Sequence, residues 1–404
     1  MKLLYVVARY GVEVSGGAEQ HCRQFATRLA ARGHQVQVVT SRAINAQTWE
    51  DAYPAGATDL EGVSVERLST GSPRDEARFD RLSWEVLWSA TPASPRRQQD
   101  WLGAQGPVLD DLEPYLASVA TTFDAVIFFG YLFWPTWLGL RVLSGRVPTL
   151  LHATAHDERP LWLPLYDAMF HRPNRYAYST LEEADLITRR VGRAVPGSVI
   201  GVGIDLDPGG DAAGFRHRYR LGDRPYVVCV GRVLPGKGAV DLHAWWQVYK
   251  QRRPGPLTLV LVGGSDLALP ADPSIVTTGW VDDATRADAV AGAMALIQPS
   301  YFESFSMALG EAWAAGKPAL VQAHAPVLAG QARRSGGAIA FHGYADFETA
   351  MDWLCAEPGL GRRLGAAGRR YVESRYRWDS VLSAYEDLLA QAIRVCAAPG
   401  ADDR

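Results

Sequence analysis

Twice along this chain a short apolar run breaks into a glycine-rich loop, and the loop runs on into an amphipathic helix. The first instance is residues 2–7 (KLLYVV), then Gly11, Gly16 and Gly17, then a helix expected over 18–32. Cys22, Phe25, Ala26 and Leu29 recur there at three and four, Gly33 ends the helix, and 36–40 reads as the next strand. A strand without a polar face is buried on both sides, as in a parallel sheet covered by helices. Strand, loop, helix and strand make the βαβ unit of doubly wound sheets. The second instance is strand 226–230, glycine loop 231–238 and helix 239–252, followed by strands at 257–262, 275–278, 295–298 and 319–322.

With 404 residues the chain is too long for one core, and the repeated pattern makes two α/β domains the expectation. The boundary falls where Gly, Pro and Asp crowd together at 203–210. The expected division is 1–203, 204–377, and a closing helix over 378–396 with Val381, Leu382, Tyr385, Leu388 and Leu389 at helical spacing. Residues 42–120 are the least legible, with helical pieces at 81–91 and 107–119 and a loop at 92–97. Strands are expected at 124–129 and 148–152, around Leu186 and Ile187, and at 198–202.

A formal net charge of −3 gives no footprint for a nucleic-acid partner. No run approaches the ~20 apolar residues of a membrane span, and the amino terminus lacks a signal h-region. Peripheral contact with a membrane surface stays open. Cys22, Cys229, Cys355 and Cys396 form no CxxC pair, so a reduced cytoplasmic protein without a structural metal is expected.

Four segments carry candidate chemistry. Residues 299–318 follow a strand, placing them at the carboxyl edge of a parallel sheet, where open α/β folds bind ligands. Glu303 lies in the loop and Glu311 in the following helix; a carboxylate accepts from two neighbouring hydroxyls, as on a sugar or a ribose. Backbone N–H groups at Ser304 to Ser306, at the start of that helix, suit a phosphate or a hydroxyl. In the loop 231–238, Arg232 and Lys237 bring a planar fork and a point charge to a strand-to-helix turn. The rival reading is a nucleotide-binding G-x4-G-K loop, but Gly238 stands where a Ser or Thr would hold Mg²⁺. Gly16 and Gly17 allow a backbone to approach a ligand, or form a plain tight turn. His156 follows a strand and suits contact with a sugar hydroxyl; zinc bound by His152 and His156 lacks a third ligand. Asp205 and Asp207 read as incidental; the aromatic residues of 128–137 and 161–166 can stack on a sugar or hold an apolar acceptor, with buried core or interdomain packing the favoured reading.

Taken together and in this order, these segments resemble the family 4 retaining glycosyltransferases over residues 1 to about 394. Glu303 and Glu311 match the E-x7-E motif, Arg232 and Lys237 the G-R-x4-K-G element, and Gly16 and Gly17 the amino-terminal glycine loop. His156 matches the histidine after a mid-domain strand; the Asn usual before Gly-Val-Asp in the linker is missing. The resemblance implies an α/β GT-B fold, two Rossmann-like doubly wound parallel-sheet domains facing across a cleft, with the last helix crossing back to the first domain. It implies sugar transfer from a UDP- or GDP-sugar to a hydroxyl acceptor, without cofactor or metal. His156 and Glu303 would act at the reacting sugar. Arg232, Lys237, Gly16 and Gly17 would bind donor phosphate, Ser304 and Phe305 the donor sugar, and Glu311 the ribose, with Trp280 and Val281 beside the base. Another GT-B enzyme, an epimerase or phosphorylase, or a non-catalytic nucleotide-sugar binder is the alternative.

Overall fold

The computed structural model describes residues 1–207, 209–265, 267 and 269–397, so Pro208 of the expected boundary segment lies outside the described residues. The chain divides into two compact units: Met1–Gly201 with the residues from Leu382 on, and Val202–Val381.

The first unit is built on an eight-stranded sheet in the order β3-β4-β2-β1-β5-β6-β7-β8. Its strands are β1 (Lys2–Val7), β2 (Gln35–Ser41), β3 (Gly56–Leu60), β4 (Val63–Leu68), β5 (Ala125–Phe129), β6 (Thr149–His152), β7 (Arg175–Tyr178) and β8 (Gly197–Val199). All pairings are parallel except β3 with β4. Tyr5 on β1 sits opposite Val38 on β2 and Ile127 on β5, the point where the strand order reverses. The helix Gly17–Ala31 buries Cys22, Phe25, Ala26 and Leu29.

Several elements differ from the sequence reading. Leu186 and Ile187 lie in the helix Leu181–Val191, not in a strand. Thr180 caps its start, accepting from the N–H of Glu183, and Gly192 ends it in the left-handed region. An apolar pair alone fits either element. Residues 92–97 are only partly loop, because Ser94 caps a helix, Pro95–Gln105, with Pro at its first position. The expected piece at 81–91 is the helix Glu76–Ser83 and a wide helical turn, Trp84–Trp88. The piece at 107–119 becomes helical only from Leu112. The β3–β4 hairpin was not expected. It turns through Glu61 and Gly62, both at positive φ, as a two-residue hairpin requires.

The second unit carries six parallel strands in the order β11-β10-β9-β12-β13-β14. They are β9 (Tyr226–Val230), β10 (Thr258–Val262), β11 (Ile275–Thr277), β12 (Leu296–Gln298), β13 (Ala319–Gln322) and β14 (Ala338–Phe341). In chain order this is 3-2-1-4-5-6, the dinucleotide-fold arrangement, with its crevice at the carboxyl ends of β9 and β12. Buried apolar residues pack both faces of the sheet, Val228 and Val260 in one cluster, Val227 and Leu259 in the other.

Candidate active site

Two segments meet at the crevice of the second unit. From β9 the chain enters the glycine loop, whose Gly231 and Val233 N–H groups donate to Val262 and Gly264 carbonyls, both at 2.9 Å. A short 3-10 turn, Pro235–Lys237, then leads through Gly238 into the helix Ala239–Arg252. Gly238 has φ +68, and a Cβ there would stand 2.1 Å from the Pro299 carbonyl oxygen. This close approach joins the loop after β9 to the segment after β12, and it leaves no room for the Ser or Thr of a Mg²⁺-binding loop.

Lys237 Nζ lies 2.7 Å from Glu303 Oε1 and donates to the Phe302 carbonyl at 3.4 Å. Arg232 is exposed and has no carboxylate partner among the described residues. Together with Cys229, Gln298 and their neighbours, Arg232, Lys237 and Glu303 line a pocket. Two cations against one carboxylate leave it one net positive charge, which favours an anion. Burial pushes the Cys229 thiol up to about 12, so it stays protonated there.

Beyond the pocket, Gln298 Nε2 donates to Ser306 Oγ at 2.9 Å, and Ser306 sits at φ +72 just before the helix Met307–Ala314. Gln331 Nε2 donates to the Phe305 carbonyl. The Phe305 ring is buried edge-on to Tyr376, so only its backbone is available to a ligand. Glu311, half-buried on the helix, lies 2.9 Å from Arg286 Nη2. Burial raises its carboxyl above the usual range, and Arg286 opposes the shift. Glu311, Ser304, Phe305, Trp280 and Val281 do not line the pocket. Trp280 is 60% exposed, and Val281 packs against the core. Asp207 lies 3.1 Å from Arg369.

In the first unit, Gly16 and Gly17 begin the helix Gly17–Ala31 without a side-chain cap. Beneath them Arg9 and Glu19 form a buried ion pair at 2.6 Å. A Cβ on Gly16 would stand 2.1 Å from Glu19 Oε2, so Gly16 also has a packing reason to be glycine; Gly17 faces open space. His152 is buried, with Nε2 2.9 Å from Tyr385 Oη on the last helix. His156 Nδ1 lies 3.1 Å from Glu158 Oε1, the oxygen that accepts from Tyr131 Oη at 2.9 Å. His156 and Glu158 are near neighbours, but their geometry is not that of a hydrogen bond.

The loop bearing His156 is anchored by Glu183, whose two oxygens accept from the N–H groups of Ala155 at 2.7 Å and Ser179 at 2.6 Å. Sequence reasoning missed Glu158, Glu183 and Arg286. Only Glu183 had a local signal, the T-x-x-E capping box from Thr180. Among the described residues, no three His, Cys, Asp or Glu side chains gather as a metal site.

Residues 224–356 match a family model described as glycosyl transferases group 1. A D-inositol 3-phosphate glycosyltransferase from Rhodococcus jostii is 30% identical over 421 aligned positions, covering 94% of this chain and 86% of that relative. The chain belongs to the group 1 glycosyltransferases. Two further relatives align over less. A D-inositol 3-phosphate glycosyltransferase from Streptomyces bingchenggensis is 31% identical over 55% of this chain and 53% of its own length. A GDP-mannose-dependent alpha-(1-6)-phosphatidylinositol monomannoside mannosyltransferase from Mycobacterium tuberculosis is 29% identical over 44% and 50%. These alignments span about half the length of the relatives concerned. Among solved structures, sucrose-phosphate synthase from Thermosynechococcus elongatus superposes with a TM-score of 0.74 at 19% identity, over 98% of this chain and 99% of that one. Anabaena HepE, solved in complex with UDP-glucose, gives 0.72 at 14% identity, over 96% and 99%. The GT-B fold of two parallel-sheet α/β domains is thereby shown for this group 1 glycosyltransferase.

Proposed function

We propose that this chain transfers a sugar, with retention, from a nucleoside diphosphate sugar to a hydroxyl acceptor, using the crevice at β9 and β12 as the donor site. The observation that carries this reading is the pocket where Arg232, Lys237 and Glu303 converge, at the strand-order reversal of a dinucleotide-type sheet. The donor diphosphate takes up the charge of Arg232 and Lys237, which stabilise the departing nucleoside diphosphate without a metal. Glu303 faces the sugar ring with the Ser304 and Phe305 N–H groups, and Glu311 accepts from the ribose hydroxyls, with Trp280 and Val281 beside the base. His156, with Glu158 beside it, acts at the reacting sugar, and Gly16 and Gly17 offer N–H groups to the phosphates. Relatives named for GDP-mannose and a structure holding UDP-glucose support either base. With Cys22, Cys229, Cys355 and Cys396 all unpaired, the reducing cytoplasm is the proposed compartment.

Calorimetric titration of UDP, GDP and their sugars, run in excess EDTA, tests the reading. One base is expected to bind. Arg232→Ala and Lys237→Ala are each expected to weaken it by about 10–150-fold, the equivalent of a charged hydrogen bond of about 1.5–3 kcal/mol. Unchanged affinity in both variants removes the phosphate role, and binding only after Mg²⁺ is restored removes the metal-free reading. Release of free nucleoside diphosphate only when an acceptor is present separates transfer from epimerisation.

A further inference from the structure

Three indoles lie open on the first unit, one in the segment that follows His156 and two on a turn tied to that segment. Trp84 is 68% exposed, Trp88 56% and Trp162 46%. Tryptophan is highly buried on average, so three open indoles in one region mark a binding surface. Core packing, the favoured reading of residues 161–166, holds for only part of the segment. Leu161 and Tyr166 are buried, but Trp162 is not.

Trp84 and Trp88 stand at the two ends of the turn Trp84–Trp88, four residues apart. Arg159 ties that turn to the His156 loop. Its Nη1 donates to the Leu87 carbonyl at 2.8 Å, and its guanidinium stands 4.0 Å over the Trp88 ring. Trp162 ends the 3-10 turn Arg159–Trp162, where side chains three apart eclipse, so it shares a face with Arg159. Its indole N–H donates to Asp157 Oδ1 at 2.7 Å, and Asp157 Oδ2 lies 3.7 Å from Arg189. His156, Asp157, Glu158 and Arg159 are consecutive, which makes the aromatic surface continuous with the segment assigned to the reacting sugar.

We infer that Trp84, Trp88 and Trp162, with Asp157 and Arg159, form the acceptor platform, and that the acceptor it takes is a saccharide. The inference rests on the glycosyltransferase reading. A sugar ring has an apolar C–H face that stacks on an indole and a rim of hydroxyls that both donate and accept. The surface supplies both partners: three aromatic faces, with a carboxylate that accepts beside Trp162 and a guanidinium that donates beside Trp88. An acyl chain would use the indoles but would offer nothing to the remaining lone pairs of Asp157 and N–H groups of Arg159, which it would strip of water.

Saturation-transfer NMR on the full chain tests this with maltose, cellobiose, α-1,6-mannobiose and diacetylchitobiose, each with UDP and with GDP present. The wild type is compared with W84A/W88A/W162A and with W84F/W88F/W162F. At least one disaccharide is expected to receive saturation at its ring C–H protons. Its affinity falls about tenfold or more in the alanine variant and returns to within about threefold of wild type in the phenylalanine variant, which keeps the aromatic faces. Melting temperature and nucleotide binding stay unchanged in both variants. A panel silent with wild type, or binding indifferent to the alanine substitutions, overturns the platform. Co-sedimentation with phosphatidylcholine vesicles containing phosphatidylglycerol is the second arm. Vesicle binding lost in the alanine variant, with no disaccharide bound by wild type, overturns the saccharide reading in favour of a membrane-facing surface. If neither UDP nor GDP binds wild type, the donor reading has failed, and the disaccharide signals still decide the platform.

Discussion

A carboxyl closed off from water while accepting two backbone N–H groups sits under opposing pressures, and Glu183 is such a group. Burial pushes it up to about 7, against the hydrogen bonds from Ser179 and Ala155 and the nearby His156, which pull it down. An unfolded glutamate ionises near pH 4.3. Between there and about pH 7 the folded chain keeps a proton that the unfolded chain has released. The stability this adds is full below the unfolded pKa and is lost as pH rises through the folded one. His21 and His152 act in the opposite sense. Burial lowers both, His21 to about 3, so their contribution is lost as pH falls below the unfolded histidine range. A raw stability curve therefore mixes the two effects, and the difference between wild type and Glu183→Gln separates them. That difference is expected to shrink by about 3 kcal/mol from pH 4.5 to 7.5, at 1.36 kcal/mol per pKa unit. Urea unfolding followed by hydrogen exchange at the β6 and β7 amides measures it, and a difference flat with pH would show that Glu183 does not titrate in this window.

At the scale of elements, the last helix, Trp378–Ala397, is held by two contacts of unlike worth. Tyr385 is buried against Phe25, with ring centroids 4.7 Å apart, and its hydroxyl meets His152 Nε2. Glu386 instead sits at the surface, 2.8 Å from His34 and 3.0 Å from Arg32. Tyr385→Phe removes a partner from a buried imidazole and is expected to cost about 1–3 kcal/mol. Glu386→Gln removes a partly exposed pair and is expected to cost under about 1 kcal/mol. Denaturant midpoints of the two variants check the order, and a larger loss at Glu386 would contradict it. This helix was legible in the sequence because its apolar residues repeat over many turns. β1, β5, β9, β10 and β13 were legible because both of their faces are buried. β3 and β4 were not, since they form an edge hairpin through Glu61–Gly62 in which β4 buries only every second residue, Val63, Val65 and Arg67, and β3 buries none. The helix around Leu186 was misread because two apolar residues carry no period, although the Thr180–Glu183 box beside them marks a helix start. The same contrast runs through the candidate site. Arg232, Lys237 and Glu303 lie in segments with local signatures, whereas Arg286 meets Glu311 and Tyr131 meets Glu158 only across long stretches of chain.

At the scale of the whole molecule, the chain leaves the first unit at Gly201 and returns to it at Leu382, so the second unit is one uninterrupted segment. That segment has its own six-stranded sheet and its own apolar clusters, and it contains Arg232, Lys237, Glu303, Glu311 and Arg286. Residues 202–381 are therefore expected to fold alone and to bind the same nucleotide as the full chain, within about tenfold in affinity. The first unit is not expected to match this independence. Residues 1–201 lack Leu382, Tyr385, Leu388 and Leu389, all buried in the full chain. At about 1.5–3 kcal/mol for each buried side chain, that loss rivals the 5–15 kcal/mol by which a whole domain is stable. Joining 382–397 to residue 201 through a flexible linker is expected to restore a cooperative melt, and Tyr385→Phe in the joined chain to weaken it. Thermal melts of the three fragments, with and without UDP or GDP, check both halves of this expectation. A cooperative melt from 1–201 alone would show that the last helix is dispensable to the first unit. A folded 202–381 that binds neither nucleotide, while the full chain binds one, would mean that the donor site needs residues of the first unit, with Gly16, Gly17 and His156 the first to substitute.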